Sequence, residues 1–158
     1  MSDACKASSL YEAFSPYFRI GAAINSWKTD DPAYKELICR HFNSITAENE
    51  MKPMSVLDRE GTLKIGDGFH TAQNFEHVDK MLAFARDNGI KVRFHVLCWH
   101  GQTPIWFFTE GWEDIPWKQL FEQKVNIPFA SREVILKRLE YYIQDVMTHV
   151  NTEFPGVV

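Results

Sequence analysis

An α/β fold with parallel strands is predicted by three features of the sequence. Strand-like apolar runs alternate with helical periodicities, capping residues and glycines fall at the joints between them, and polar clusters follow the second and third strand runs. The first run, Phe18 to Asn25, has the length and residue types of a buried strand, with Gly21 inside it. Asp30 and Asp31 ahead of Pro32 offer an N-cap and an N1 proline, after which Tyr34, Leu37, Ile38 and His41 fall at helical spacing. Phe42 to Ala47 returns to strand character and runs into the polar segment Glu48 to Pro53.

Ser55 to Ala72 contains Gly61, Gly66 and Gly68 and has little periodicity, so a long ordered loop is expected there. A second helix is predicted over Asn74 to Asn88, with Val78, Met81, Leu82 and Ala85 as its apolar stripe and Gly89 at C′. In the third strand run, Lys91 to Trp99, alternation puts Val92, Phe94, Val96 and Cys98 on one face. Arg93, His95, Leu97 and Trp99 share the other. Gly101 to Ala130 is an aromatic excursion carrying Trp106, Phe107, Phe108, Trp112, Trp117 and Phe121, with one short helix expected over Pro116 to Val125. Ser131 is placed to cap a third helix whose stripe is Ile135, Leu139, Tyr142, Ile143, Val146, Met147 and Val150. Val157 and Val158 read as the first residues of a fourth strand.

Composition narrows the function classes. The 158 residues are 45% hydrophobic and 14% aromatic, enough for a core, while no apolar run approaches the length of a bilayer span. A net charge of −4, with no Lys/Arg cluster longer than a pair, argues against nucleic acid or anionic lipid as partner. Cys5, Cys39 and Cys98 are odd in number and unevenly spaced, which predicts free thiols. Met1 to Leu10 has no apolar leader core, so a cytoplasmic location is expected, or a secreted one if a signal has been removed. No repeat, low-complexity tract or interdomain linker is visible.

Two clusters can carry chemistry. Glu48, Asn49, Glu50 and Lys52 place carboxylates, an amide and an ammonium at one strand end, a donor and acceptor set suited to a neutral polyhydroxyl ligand, although a solvated loop has the same composition. His95, Trp99, His100 and Gln102 crowd the next strand end. There an indole face can stack on a sugar ring while His and Gln take hydroxyls, against the plainer reading of core packing. A metal held by His95, Cys98 and His100 is not expected, because alternation turns Cys98 away from His95 and no second cluster supplies a fourth ligand. No cofactor is expected either. Glu48 and Glu50 are rejected as a glycosidase pair: two residues apart on one strand, they would lie on the same side of a sugar, whereas acid and nucleophile must flank the scissile bond.

Four segments, Phe18 to Asn25 (FRIGAAIN), Phe42 to Pro53 (FNSITAENEMKP), Asn88 to Phe108 (NGIKVRFHVLCWHGQTPIWFF) and Ser131 to Ile143 (SREVILKRLEYYI), resemble the first three strand regions and third helix of glycoside hydrolase family 10 xylanases. The resemblance runs from about Leu10 to Val150. It implies a partial (β/α)8 TIM barrel in which residues 1–158 form the N-terminal part of one catalytic domain, truncated near the start of strand 4. It also implies an endo-1,4-β-xylanase that cuts xylan with retention of configuration, with xylan or xylo-oligosaccharides as ligand. For Glu48, Asn49 and Lys52 it implies glycone-side hydroxyl contacts, and for His95, Trp99, His100 and Gln102 the floor and wall around the sugar at the cleavage point.

The acid/base and nucleophile glutamates are expected beyond Val158, so the chain alone is predicted to be inactive. Phe94 stands where a small residue is usual, Cys98 replaces a β-branched one, and Glu110 to Phe129 is longer and more aromatic than the family pattern. A non-catalytic xylan-binding half-barrel, or a structural fragment that pairs with the C-terminal remainder or with itself through open strand edges, are the alternatives.

Overall fold

The computed structural model describes residues 9–116, 118, 119, 122 and 127–158. In chain order its elements are α1 (Leu10–Phe14), β1 (Gly21–Ile24), α2 (Pro32–His41), β2 (Ser44–Ala47), α3 (Pro53–Val56), β3 (Leu57–Asp58), α4 (Arg59–Ile65), β4 (Ala72–Gln73), α5 (Glu76–Asp87), β5 (Lys91–Arg93) and α6 (Arg132–Glu153), with 3-10 turns at Ser26–Asp30, Ile105–Phe108 and Glu110–Trp112. These elements fall into two compact units. The first holds the chain up to Met51, Phe75–His95 and Val150–Val158, and the second holds Lys52–Asn74 and Val96–His149.

In the first unit β1, β2 and β5 form a parallel sheet in that order, so each crossover joins neighbouring strands. Ile45, in the central strand, pairs with Ala22 on one side and Val92 on the other. Alternation leaves Ile24, Ile45, Ala47 and Val92 buried while Gly21, Ala23 and Arg93 of the opposite parity are exposed. The opposition of Val92 and Arg93 is as the sequence predicts. Asp31 caps α2 as expected, its Oδ1 accepting from the amides of Ala33 and Tyr34 at 3.0 and 3.3 Å. α5 ends in a Schellman turn in which Gly89, at φ +67°, donates to Arg86 and Ile90 donates to Ala85. A glycine suits that left-handed position because it has no Cβ to clash. Val92 N–H donates to the carbonyl of Val157 at 2.9 Å, so the outer edge of β5 already holds one bond from the segment expected to begin a further strand.

Several expectations need correction. The strands are shorter than the apolar runs: β1 begins at Gly21 and leaves Phe18 exposed, and β5 stops at Arg93, the last residue registered against β2. Beyond that point no ladder imposes alternation, and Cys98, Trp99 and His100 are all exposed in succession. Leu37 in α2 and Met147 in α6 point to solvent, because only a narrow arc of each helix meets the core.

The second unit contains the largest departure. In place of a loop over Ser55 to Ala72 stand part of α3, the helix α4, and an antiparallel ladder of β3 with β4. These pieces are too short to show a period. They are held by side-chain bonds such as buried Thr62, whose hydroxyl donates to the carbonyl of Asp58 at 2.6 Å and accepts from the amide of Ala72 at 2.9 Å. The aromatic excursion is a core: Trp106 and Trp112 meet edge-to-face at 5.8 Å, and Phe107 meets Tyr142 of α6 in the same manner at 6.4 Å. Arg138 of α6, 2% exposed, donates to the carbonyls of Gly68, Phe107 and Thr109 and lies 3.5 Å from the Trp112 ring centroid. Ser131 caps α6 through the amide of Val134 at 3.3 Å. The helix expected over Pro116 to Val125, with Trp117 and Phe121, lies largely outside the described residues.

Candidate active site

At the C-terminal end of β2 in the first unit, the ladder carries on for one more bond, from Glu48 N–H to the carbonyl of Ile24, before the chain turns. The turn aims Glu48 and Asn49 outward, both exposed. Glu48 Oε2 accepts from Asn25 Nδ2 at 2.7 Å, which ties the polar ends of β1 and β2 together. Glu50 points back into the fold. Its carboxylate accepts from the backbone amide of Ser26 and, at 3.2 Å, from that of Asn49. Partial burial pushes its pKa up, but the donors from Ser26, its own backbone and Asn49 outweigh that and hold it below the ordinary glutamate value. Glu50 is therefore an anchor for the two turns. His95, half-buried, follows two residues after β5 in this same unit.

The second unit assembles the other four candidates. Lys52 Nζ donates to Gln102 Oε1 at 2.5 Å and lies 5.4 Å from the ring centroid of Trp99. Trp99 in turn meets the His100 ring edge-to-face at 5.3 Å. Two backbone features fold this loop. Gly101 lies under the indole, where an added Cβ would come within 3.2 Å of the Trp99 ring. Gln102 adopts φ +53°, a left-handed conformation that costs a non-glycine residue about 1 kcal/mol or more. That strain is offset by a bond from the Met54 amide to the Gln102 carbonyl at 2.9 Å, and by Thr103 Oγ1 donating to the carbonyl of Trp99 at 2.8 Å. An ammonium from the N-cap of α3, with an amide and an indole face from the Trp99–Thr103 loop, left partly open to solvent, match the hydroxyls and C–H faces of a sugar.

Sequence reasoning missed Asn25 and the anchoring role of Glu50. The signal for Asn25 was present, since it closes the first strand run just as Glu48 closes the second. Among the described residues no group of His, Cys, Asp and Glu is arranged to hold a metal ion.

The sequence profile of glycosyl hydrolase family 10 matches residues 9–156. The chain belongs to this family. Endo-1,4-β-xylanase B of Butyrivibrio fibrisolvens is 44% identical over 151 residues, covering 94% of this chain and 22% of that protein. Endo-1,4-β-xylanase A of Halalkalibacterium halodurans is 34% identical over 144 residues, covering 91% of this chain and 33% of that protein. Among solved structures, the xylanase 10B modules of Clostridium thermocellum, complexed with xylohexaose, superpose with a TM-score of 0.81 at 33% identity, over 96% of this chain and 26% of theirs. The family 10 chain thus spans between about a fifth and a third of these relatives. Its parallel β1-β2-β5 sheet with α2 and α5 is part of the family's (β/α)8 barrel.

Proposed function

We propose that residues 1–158 supply the glycone side of an endo-1,4-β-xylanase site, as the N-terminal part of a single (β/α)8 catalytic domain. Glu48, Asn49 and Lys52 take hydroxyls of the xylosyl units on the glycone side, and His95, Trp99, His100 and Gln102 bound the sugar at the cleavage point. The observation that carries this reading is the Lys52–Gln102 bond at 2.5 Å next to the Trp99 ring, because it orders a charged donor beside an aromatic face. Retaining hydrolysis needs two carboxyl groups about 5–5.5 Å apart, one protonating the leaving oxygen and one attacking the anomeric carbon. We assign neither role to Glu48 or Glu50, since Glu50 is committed to backbone amides and Glu48 to Asn25; the resemblance to family 10 xylanases implies that both glutamates that perform the chemistry lie beyond Val158.

In a complete barrel containing this chain, Lys52→Ala is expected to lower kcat/KM on xylo-oligosaccharides by a transition-state equivalent of about 1.5–3 kcal/mol, the range for lost charged hydrogen bonds, with little change in thermal stability. An unchanged kcat/KM would remove Lys52 from the site. The 158-residue chain by itself is expected to release no reducing sugar from xylan. Release that disappears with Glu48→Gln and Glu50→Gln would return the catalytic role to those two residues.

A further inference from the structure

The 3-10 turn Ser26–Asp30 follows β1 directly, and it is fastened on every side. Ser26 N–H donates to the Glu50 carboxylate, Thr29 Oγ1 donates to the carbonyl of Ser26 at 2.6 Å, and Asp30 pairs with Lys80 of α5 at 2.5 Å. Yet this fixed turn presents Trp27 at 60% exposure. The indole is not loose, because Lys28 Nζ sits 4.3 Å from its ring centroid and 4.8 Å from that of Tyr34 in α2. Leaving so large an apolar ring in water forgoes burial that most tryptophans obtain, and holding it in one orientation adds an entropic cost. Both become intelligible if a ligand covers the ring.

Position identifies the ligand. Trp27 lies two residues past Asn25, whose amide is bonded to Glu48, so it stands at the C-terminal end of the parallel strands, where α/β folds bind their ligands. We propose that Trp27 is an additional xylosyl platform, outside the set of residues assigned above. In this role its exposed ring stacks on a sugar of the bound chain farther out on the glycone side than the unit held by Glu48 and Asn49, and the Lys28 ammonium serves one of that sugar's hydroxyls. This inference rests on the proposed xylanase reading and extends its substrate contact to longer chains.

The test uses a complete barrel containing this chain, carrying Trp27→Ala, Trp27→Phe or Glu48→Ala, with xylohexaose and an aryl β-xylobioside as substrates. Trp27→Ala is expected to raise KM for xylohexaose by about three- to tenfold, the equivalent of one aromatic stacking contact, with kcat and all xylobioside kinetics unchanged. Trp27→Phe should restore most of the loss. Equal KM for xylohexaose in wild type and Trp27→Ala, or an equal loss on both substrates, would overturn the platform. Glu48→Ala separates the two levels of the argument. If it impairs both substrates while Trp27→Ala impairs neither, only this inference fails, and if Glu48→Ala leaves both unchanged, the glycone-side reading itself fails.

Discussion

The two units are built on different kinds of core. In the first, aliphatic residues of a parallel sheet and of α5 (Ile24, Ile45, Val78, Leu82, Val92) are buried by strand alternation and helical periodicity. In the second, aromatic rings from 3-10 turns pack together, Trp112 among them against the buried Arg138, and the order comes from directional bonds: Arg138 to three carbonyls, Thr62 bridging Asp58 and Ala72. Periodic burial tolerates changes of shape within a size class, whereas a core organised by one cation is sensitive to that single group. The candidate sugar contacts reflect the same division. Glu48 and Asn49 project from the end of a ladder strand, while Lys52, Trp99 and Gln102 depend on a loop with a left-handed glutamine and a glycine beneath an indole.

The largest test of this contrast is Arg138→Met. It strands the carbonyls of Phe107 and Thr109 in a buried setting and that of Gly68 in a part-buried one, for an expected destabilisation of about 3–5 kcal/mol in chemical denaturation. Hydrogen exchange should show the loss concentrated around Phe107–Thr109, with the amides of β2 least affected. Uniform loss would mean that the two cores are not distinct in their energetics.

Next in size is Ile45→Ala, which removes a fully buried side chain from the central strand, for about 2–4 kcal/mol. Ile45→Val should cost about 1 kcal/mol, because burial in this unit depends on volume and not on a particular bond. If the valine variant were as damaging as the alanine one, the account of a forgiving aliphatic core would be wrong.

The smallest effect is expected at Asp67 in the second unit. Amides of Phe69 and His70, together with the His70 ring, pull its carboxyl down to about 2 from an ordinary 3.8. A folded-state pKa below the unfolded one means that the added stability is fully present above 3.8 and disappears as pH falls through about 2. Asp67→Asn should therefore flatten the acid limb of a stability–pH curve in that window, matching wild type at the lowest pH and lying slightly below it at pH 7, the difference being small because the pair is solvent-exposed and screened. An identical acid limb in the variant would show that the local bonds carry no linkage.

Much of the first unit was legible in the sequence because its elements repeat a short rule. Asp31 and Gly89 mark helix ends through backbone chemistry that depends only on neighbours, and Val78, Met81, Leu82 and Ala85 recur at the spacing of one helix face. The FNSITAENEMKP and FHVLCWHGQ segments likewise announce polar residues at strand ends, and with them the family and the seven candidate contacts.

What the sequence could not decide was where long-range bonds begin and stop. β5 ends at Arg93, opposite Thr46 and one residue short of the end of β2, and no property of Phe94 or His95 announces that. Leu37 and Met147 satisfy helical periodicity yet face solvent, because the width of a buried arc is fixed by the neighbouring element. Arg138 looked like one more charged residue on a helix, and the segment Ser55 to Ala72 like a loop. Their roles exist only through contacts across 29 to 70 positions for the arginine and the β3–β4 pairing for the segment. Local chemistry sets caps, turns and periodicity within a few residues, but strand length, helix exposure and the place of a buried cation depend on which distant groups arrive to satisfy them, and that is decided only when the tertiary structure forms.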